Sequence, residues 1–170
     1  MGRGGIRPLE FKTFSKEMQN AITNYCQAGG NFFVSGAYVA SDLWDNRLVK
    51  ANEEDKKFAM EVLKYKWRVG QAARNGKVKS VASPFPEITG SYTYYQELNP
   101  ESYVVEAPDA LEPAAQGAFT ILRYSENNLS AGIAYKGNYK TCVLGFPFEA
   151  IRTVTERELL MKAILTFFEH

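Results

Sequence analysis

The sequence predicts an α/β domain, a mixed sheet flanked by helices, and three stretches carry that expectation. A helix-period segment, a glycine pair and a short apolar run follow one another over residues 14–35. Three strand-like runs, the last two joined by a tight turn, fill residues 118–146. A helical apolar stripe closes the chain.

Phe14, Met18, Ile22 and Tyr25 recur at helical spacing with Ala21 on the same side, which is the period of an amphipathic helix. Ser15 is placed to cap it. Gly29-Gly30 stops it, because glycine takes the left-handed cap conformation without steric cost. Asn31–Ser35 in NFFVSG then reads as a buried strand. Residues 36–51 read as a loop with Ser41, Asp42, Asp45 and Asn46 as turn formers. Asn52 caps a second expected helix, whose apolar positions Phe58, Val62, Tyr65 and Val69 carry it to Gly70 or Gly76. Lys77–Ala82 alternates charged and small apolar residues, as an edge strand does.

Residues 83–117 are least legible. Tyr92, Tyr94 and Tyr95 suit a hairpin face or a loop, and one short strand is expected near Tyr103–Glu106. AFTILRY (118–124) reads as a strand, SENNLS as a turn, and AGIAYKGNYKTCVLGF as two strands meeting at Gly137-Asn138, so a local antiparallel meander is expected near the C-terminus of the mixed sheet. Thr155 and Glu158 have capping-box spacing ahead of Leu159, Leu160, Ala163, Ile164 and Phe167.

A chain of 170 residues is long enough for one domain with its own core, assigned to 13–170 after a terminal extension of 1–12. No run of about 18 apolar residues spans a membrane. MGRGGIRPLE is basic but has no apolar stretch, so it is not a signal peptide. The 20 basic and 19 acidic residues leave a net charge of +1, and the lysines of 56–66 are interleaved with acids. Nucleic acid is therefore not an expected partner. Cys26 in a helix and Cys142 in a strand read as buried thiols rather than a disulfide. The single histidine is the last residue, His170, where no nucleophile is naturally held against it. Zinc-ligand spacings and a glycine-rich phosphate loop are missing from the sequence, so neither metal nor cofactor is expected.

Asp42, Asp45, Glu87, Asp109, Glu112, Glu126 and Glu149 lie in loops or at strand ends, where solvated acids are the ordinary finding. Asp42 and Glu149 stand apart for a topological reason. Ligands of open α/β sheets bind beyond the carboxyl ends of strands. If the strands ending at Ser35 and Gly145 are parallel neighbours, Ser35, Tyr38, Asp42 and Glu149 share one rim. Arg123 either pairs with one of these acids or makes a structural salt bridge. Tyr38, Trp44, Tyr92, Tyr94, Tyr95 and Tyr124 offer faces for sugar rings, or else pack the core.

The strings GGNFFVSGAYVASDLWD and GAFTILRYSENNLSAGIAYKGNYKTCVLGFPFEAIRTVTERELLMKAILTFF resemble a domain of bacterial secreted proteins labelled xanthan lyase-like. That domain is similar to the class I glutamine amidotransferase superfamily, and the resemblance covers about 13–40 and 108–168. It implies a flavodoxin-like, mainly parallel sheet and a secreted or envelope setting near polysaccharide processing. It also implies a His-Pro-Glu motif where this chain has GFPFE, with Phe146 or Phe148 in the histidine's place and Glu149 alone retained. Neither cysteine occupies a strand-to-helix elbow, so the resemblance implies the fold without the glutaminase chemistry. Such domains open with a strand before the equivalent of Phe14. Its loss here would leave a sheet edge for a homodimer or for pairing by residues 5–12. The expected function is a non-catalytic module that binds glycan or a neighbouring domain at the rim. The alternative is a polysaccharide lyase or hydrolase with Tyr38 or Tyr124 as base beside Arg123. A nucleotide-binding domain is disfavoured by the missing phosphate loop.

Overall fold

The computed structural model describes residues 12–44, 52–98, 100 and 102–170. Expectations for Asp45, Asn46 and pairing within residues 5–11 fall outside them. Helix α1 (Lys16–Gln27) starts at Ser15, whose hydroxyl accepts from the Met18 amide, and stops before Gly29 at φ +89°. Strand β1 (Phe32–Ser35) follows, then the short α2 (Ser41–Trp44). Asn52 and Asp55 form a capping box for α3 (Glu53–Lys57), which widens into a π-helix over Phe58–Leu63.

The helix does not continue to Gly70. Lys64 adopts a left-handed conformation at φ 68° and ends it, and Tyr65–Val69 becomes strand β2. β-Branched and aromatic residues suit a pleated surface, and here that preference overrides the helical spacing of Tyr65 and Val69. β3 (Lys77–Ser80) and β4 (Ser91–Thr93) come next. The expected strand near Tyr103–Glu106 does not form. β5 lies further on, at Ala110–Pro113, and a proline that closes a strand hides it from pattern reading. β6 (Ala118–Tyr124), β7 (Ser130–Lys136) and β8 (Lys140–Leu144) match their expected places. A 3-10 turn over Phe148–Ala150 leads to α4 (Val154–Glu169).

The strands form a six-stranded sheet in the order β1-β8-β7-β6-β3-β4 and a two-stranded ribbon of β2 with β5. β5 packs against β6 and β7, so the strands curl as one assembly. This overturns the expected flavodoxin-like, mainly parallel sheet. Among the described residues only the β1–β8 pair is parallel, and every other strand pairing is antiparallel. The reason lies in the connections. A parallel neighbour needs a crossover of a dozen or more residues, usually a helix, whereas short turns dictate antiparallel pairing. β6, β7 and β8 are joined by such turns, and the described residues of 83–117 carry coil and short strands where a crossover helix would be needed.

One core cluster sits where α4 packs on the sheet, with Phe167 stacked on Phe85 at 4.5 Å and Leu160 and Ile164 beside Leu144 and Tyr124. The other brings α1 and the π-helix over Ile133 and Val143. Cys26 and Cys142 are free and buried, and burial pushes both thiols up. The capping box of α4 is Thr153 with Glu156, not Thr155 with Glu158. Thr153→Ala is therefore expected to cost about 1 kcal/mol in urea unfolding, and Thr155→Ala almost nothing.

Candidate functional site

The condition set for a shared rim is met. β1 and β8 are parallel neighbours with Ser35 opposite Leu144, so the segments after them leave the same end of the sheet. They are tied together there, because the Phe148 amide donates to Ser35 Oγ at 3.1 Å. Beside this tie opens a cleft of about 300 Å³. Gly36, Ala37 and Tyr38 form one wall, Tyr103–Glu106 the other, and Pro147 adjoins both. Tyr38 is 39 % and Tyr103 52 % exposed. Tyr103 donates its phenol proton to Glu149 Oε1 at 2.6 Å. Tyr38 holds φ 64°, a left-handed conformation that a bulky residue rarely adopts. Such outliers persist where surrounding structure fixes them.

Of the residues expected at this rim, Ser35, Tyr38 and Glu149 are brought together and the others are not. Asp42 is buried, and its Oδ2 accepts from the Thr13 amide at 3.0 Å and from the Thr13 hydroxyl. It ties the start of α1 to α2 instead of facing the cleft. Trp44 packs on Tyr65 with ring centroids 6.3 Å apart. Tyr124 is fully buried and donates to the Asp109 carbonyl at 2.7 Å. Arg123 lies at a second cleft with Arg68 and donates to the Asn128 carbonyl at 2.7 Å. Among the described residues no acid pairs with it.

Tyr103 and Glu106 escaped sequence reading, because nothing in an irregular Pro-rich stretch marks which side chains return to the sheet end. Asp109 was visible only as one loop acid among several, yet it organises the rim from beneath. Its Oδ2 accepts from the Ala40 and Ser41 amides at 2.8 and 3.0 Å and from the Ser41 hydroxyl. Its Oδ1 accepts from Trp67 Nε1 at 3.1 Å. Its amide donates to the Gly145 carbonyl at 2.6 Å, which holds the GFPFEAI corner against the β1–α2 turn. Within that corner Phe146 is buried and stacked on Tyr94 at 5.0 Å, while Glu149 is exposed.

Burial, and then the Glu149 carboxylate, push the Tyr103 phenol upward, and burial does the same to Tyr124. A tyrosine base needs the opposite shift. Among the described residues no group of three or more His, Cys, Asp or Glu is placed to hold a metal ion. No helix among them is long and apolar enough to cross a membrane.

No family model matches the chain, and no curated protein matches it in sequence. Among solved structures it is similar to a β-galactosidase from Rahnella sp. R3, with a TM-score of 0.58 and 13% identity over 91% of this chain. The chain shares its fold with one part of a glycoside hydrolase. It spans 21% of that β-galactosidase's length. A weaker likeness, TM-score 0.49 at 10% identity, joins 92% of the chain to 23% of the exo-β-1,4-mannosidase Op5Man5 from Opitutaceae bacterium strain TAV5. The amidotransferase-like and xanthan lyase-like resemblance has no family model behind it.

Proposed function

We propose that the chain is a non-catalytic module of a larger, secreted or envelope glycan-processing protein, and that it holds a sugar ring between Tyr38 and Tyr103. The observation that carries this reading is the cleft itself. Two exposed phenol rings flank a space of about 300 Å³, with Glu106 in its lining and the Glu149 carboxylate bonded to Tyr103. Sugar C–H faces pack on aromatic rings, and sugar hydroxyls donate to carboxylates. The fold likeness to part of a β-galactosidase supports a setting within a larger glycan-active protein. The lyase or hydrolase alternative requires Tyr38 or Tyr124 as a base beside Arg123, and it loses support because Tyr38 and Arg123 line different clefts and Tyr124 is buried in the core.

Titration of the 15N-labelled chain with galacto- and manno-oligosaccharides tests the reading. Amides of 36–38 and 103–106 are expected to shift. Tyr103→Ala and Tyr38→Gly should each weaken binding about tenfold, the scale of one aromatic contact. Tyr38→Gly should melt within about 2 °C of the parent, since relief of the left-handed strain offsets the added chain entropy. Oligosaccharides that leave these amides unmoved, or variants that bind like the parent, would refute it.

A further inference from the structure

The second cleft lies between the β2–β5 ribbon and the start of the β6–β7 pair, with a volume of about 430 Å³. Its polar lining includes Arg68, Glu112, Thr120, Arg123, Asn128 and Ser130, and Leu111, Pro113 and Leu129 give it apolar walls. Thr120 and Arg123 stand three positions apart, a separation that places side chains on opposite faces of a regular strand. Here both line the same cleft. The β6–β7 register slips between Thr120 and Leu122 and again between Leu122 and Arg123, so Ile121 and Leu122 both turn inward, fully buried. Bulges of this kind re-aim side chains and recur beside binding sites.

The donors and acceptors are unevenly used. Arg123 spends one N–H on the Asn128 carbonyl, and Arg68 spends one on Glu112 Oε1 at 3.1 Å. A guanidinium carries five N–H donors. Two guanidinium groups against one carboxylate leave the cleft net positive. The Thr120 hydroxyl donates to Ser130 Oγ, and Ser130 donates to the Gly132 carbonyl, so the Thr120 oxygen keeps its lone pairs for an incoming O–H. The cleft thus offers planar cationic forks, hydroxyl acceptors and apolar walls together. A bare inorganic anion uses only the first of these.

We propose that this cleft binds a hydroxylated carboxylate, specifically a hexuronate residue. Its carboxylate is held by Arg123 and Arg68, its hydroxyls donate to Thr120 and Glu112, and its ring lies on Leu111 and Leu129. The site is separate from the rim cleft and does not depend on it. Arg123 earlier suggested a partner for a rim acid, and the bulge assigns it instead to its own ligand.

The test compares galacturonate, galactose and acetate by amide shift mapping on the intact chain. Galacturonate is expected to bind at least tenfold tighter than either control, with shifts at residues 68, 111–112, 120–123 and 128–130, and to weaken with added salt. Arg123→Gln should lower its affinity, read from those amides, at least tenfold, and the near-isosteric Thr120→Val severalfold. Equal binding of galactose or acetate at these same residues would overturn the proposal. So would galacturonate affinity that survives both Arg123→Gln and Thr120→Val, or shifts confined to the rim.

Discussion

Asp109→Ala is expected to cost about 3–5 kcal/mol of unfolding free energy, enough to leave little folded protein at 37 °C. The carboxylate is fully buried and accepts from two amides, one hydroxyl and one indole N–H. Alanine leaves those donors without an acceptor in the protein interior, at roughly 1–3 kcal/mol for each one truly cut off from water. Urea unfolding followed by circular dichroism measures the loss, and a variant within about 1 kcal/mol of the parent would show that the web is not structural. Asp109→Asn should cost less, because only the donor left facing Trp67 is mismatched.

The same residue sets a pH dependence. Burial lifts its carboxyl from 3.8 to about 6 in the folded protein, against the hydrogen bonds from Ser41, Ala40 and Trp67 that favour the charged form. The folded state then keeps a proton that the unfolded chain has already released. The resulting contribution, on the order of 3 kcal/mol, is complete below about pH 4 and disappears as pH rises through about 6. Unfolding free energies measured from pH 4 to pH 7 should therefore fall more steeply for the parent than for Asp109→Asn. Parallel curves would contradict the assignment.

Gly145→Ala is expected to destabilise by about 3 kcal/mol and to lower the melting temperature by roughly 10 °C. A Cβ there would lie 2.0 Å from the Asp109 carbonyl oxygen and 2.9 Å from its carbon, with the Tyr124 hydroxyl at 3.3 Å. The obstacle is backbone, which no rotamer change can clear. The segment after β8 would separate from Asp109, breaking the bond from the Asp109 amide and loosening the turn that presents Tyr38. Gly36→Ala is the internal control, since a Cβ at Gly36 meets nothing within 4 Å. A scanning calorimetry trace in which the two variants melt together would show that the close approach is unimportant.

Local signals were readable in the sequence, while long-range placement was not. Ser15, Asn52 and Gly29 mark helix ends through backbone chemistry within a few residues, and the structure uses all three as read. The meander of β6–β8 was legible because its turns are short. Tyr65 and Val69 misled, since a helical spacing ran on past a residue, Lys64, whose left-handed conformation no composition rule foretells. The mainly parallel sheet was what the resemblance over 13–40 and 108–168 implied, and the residues between these stretches are uninformative about pairing. At the rim, Ser35, Tyr38 and Glu149 followed from strand ends alone. Asp42, Trp44, Arg123 and Tyr124 depend on packing partners and on a strand bulge, and only coordinates reveal those.

The parallel pairing of β1 with β8 also sets the order in which the polypeptide can assemble. Asn31 and Lys140, bonded at the edge of β1 and β8, are 109 positions apart. At synthesis rates of about 5–20 residues per second, the amino-terminal segment waits on the order of ten seconds on the ribosome before its docking strand emerges. Through that interval the apolar face of α1 and the strand behind it have no sheet to join, so closure of this long loop is the late, slow event of folding. Nascent chains arrested before residue 140 should therefore be the form that trigger-type chaperones grip most strongly.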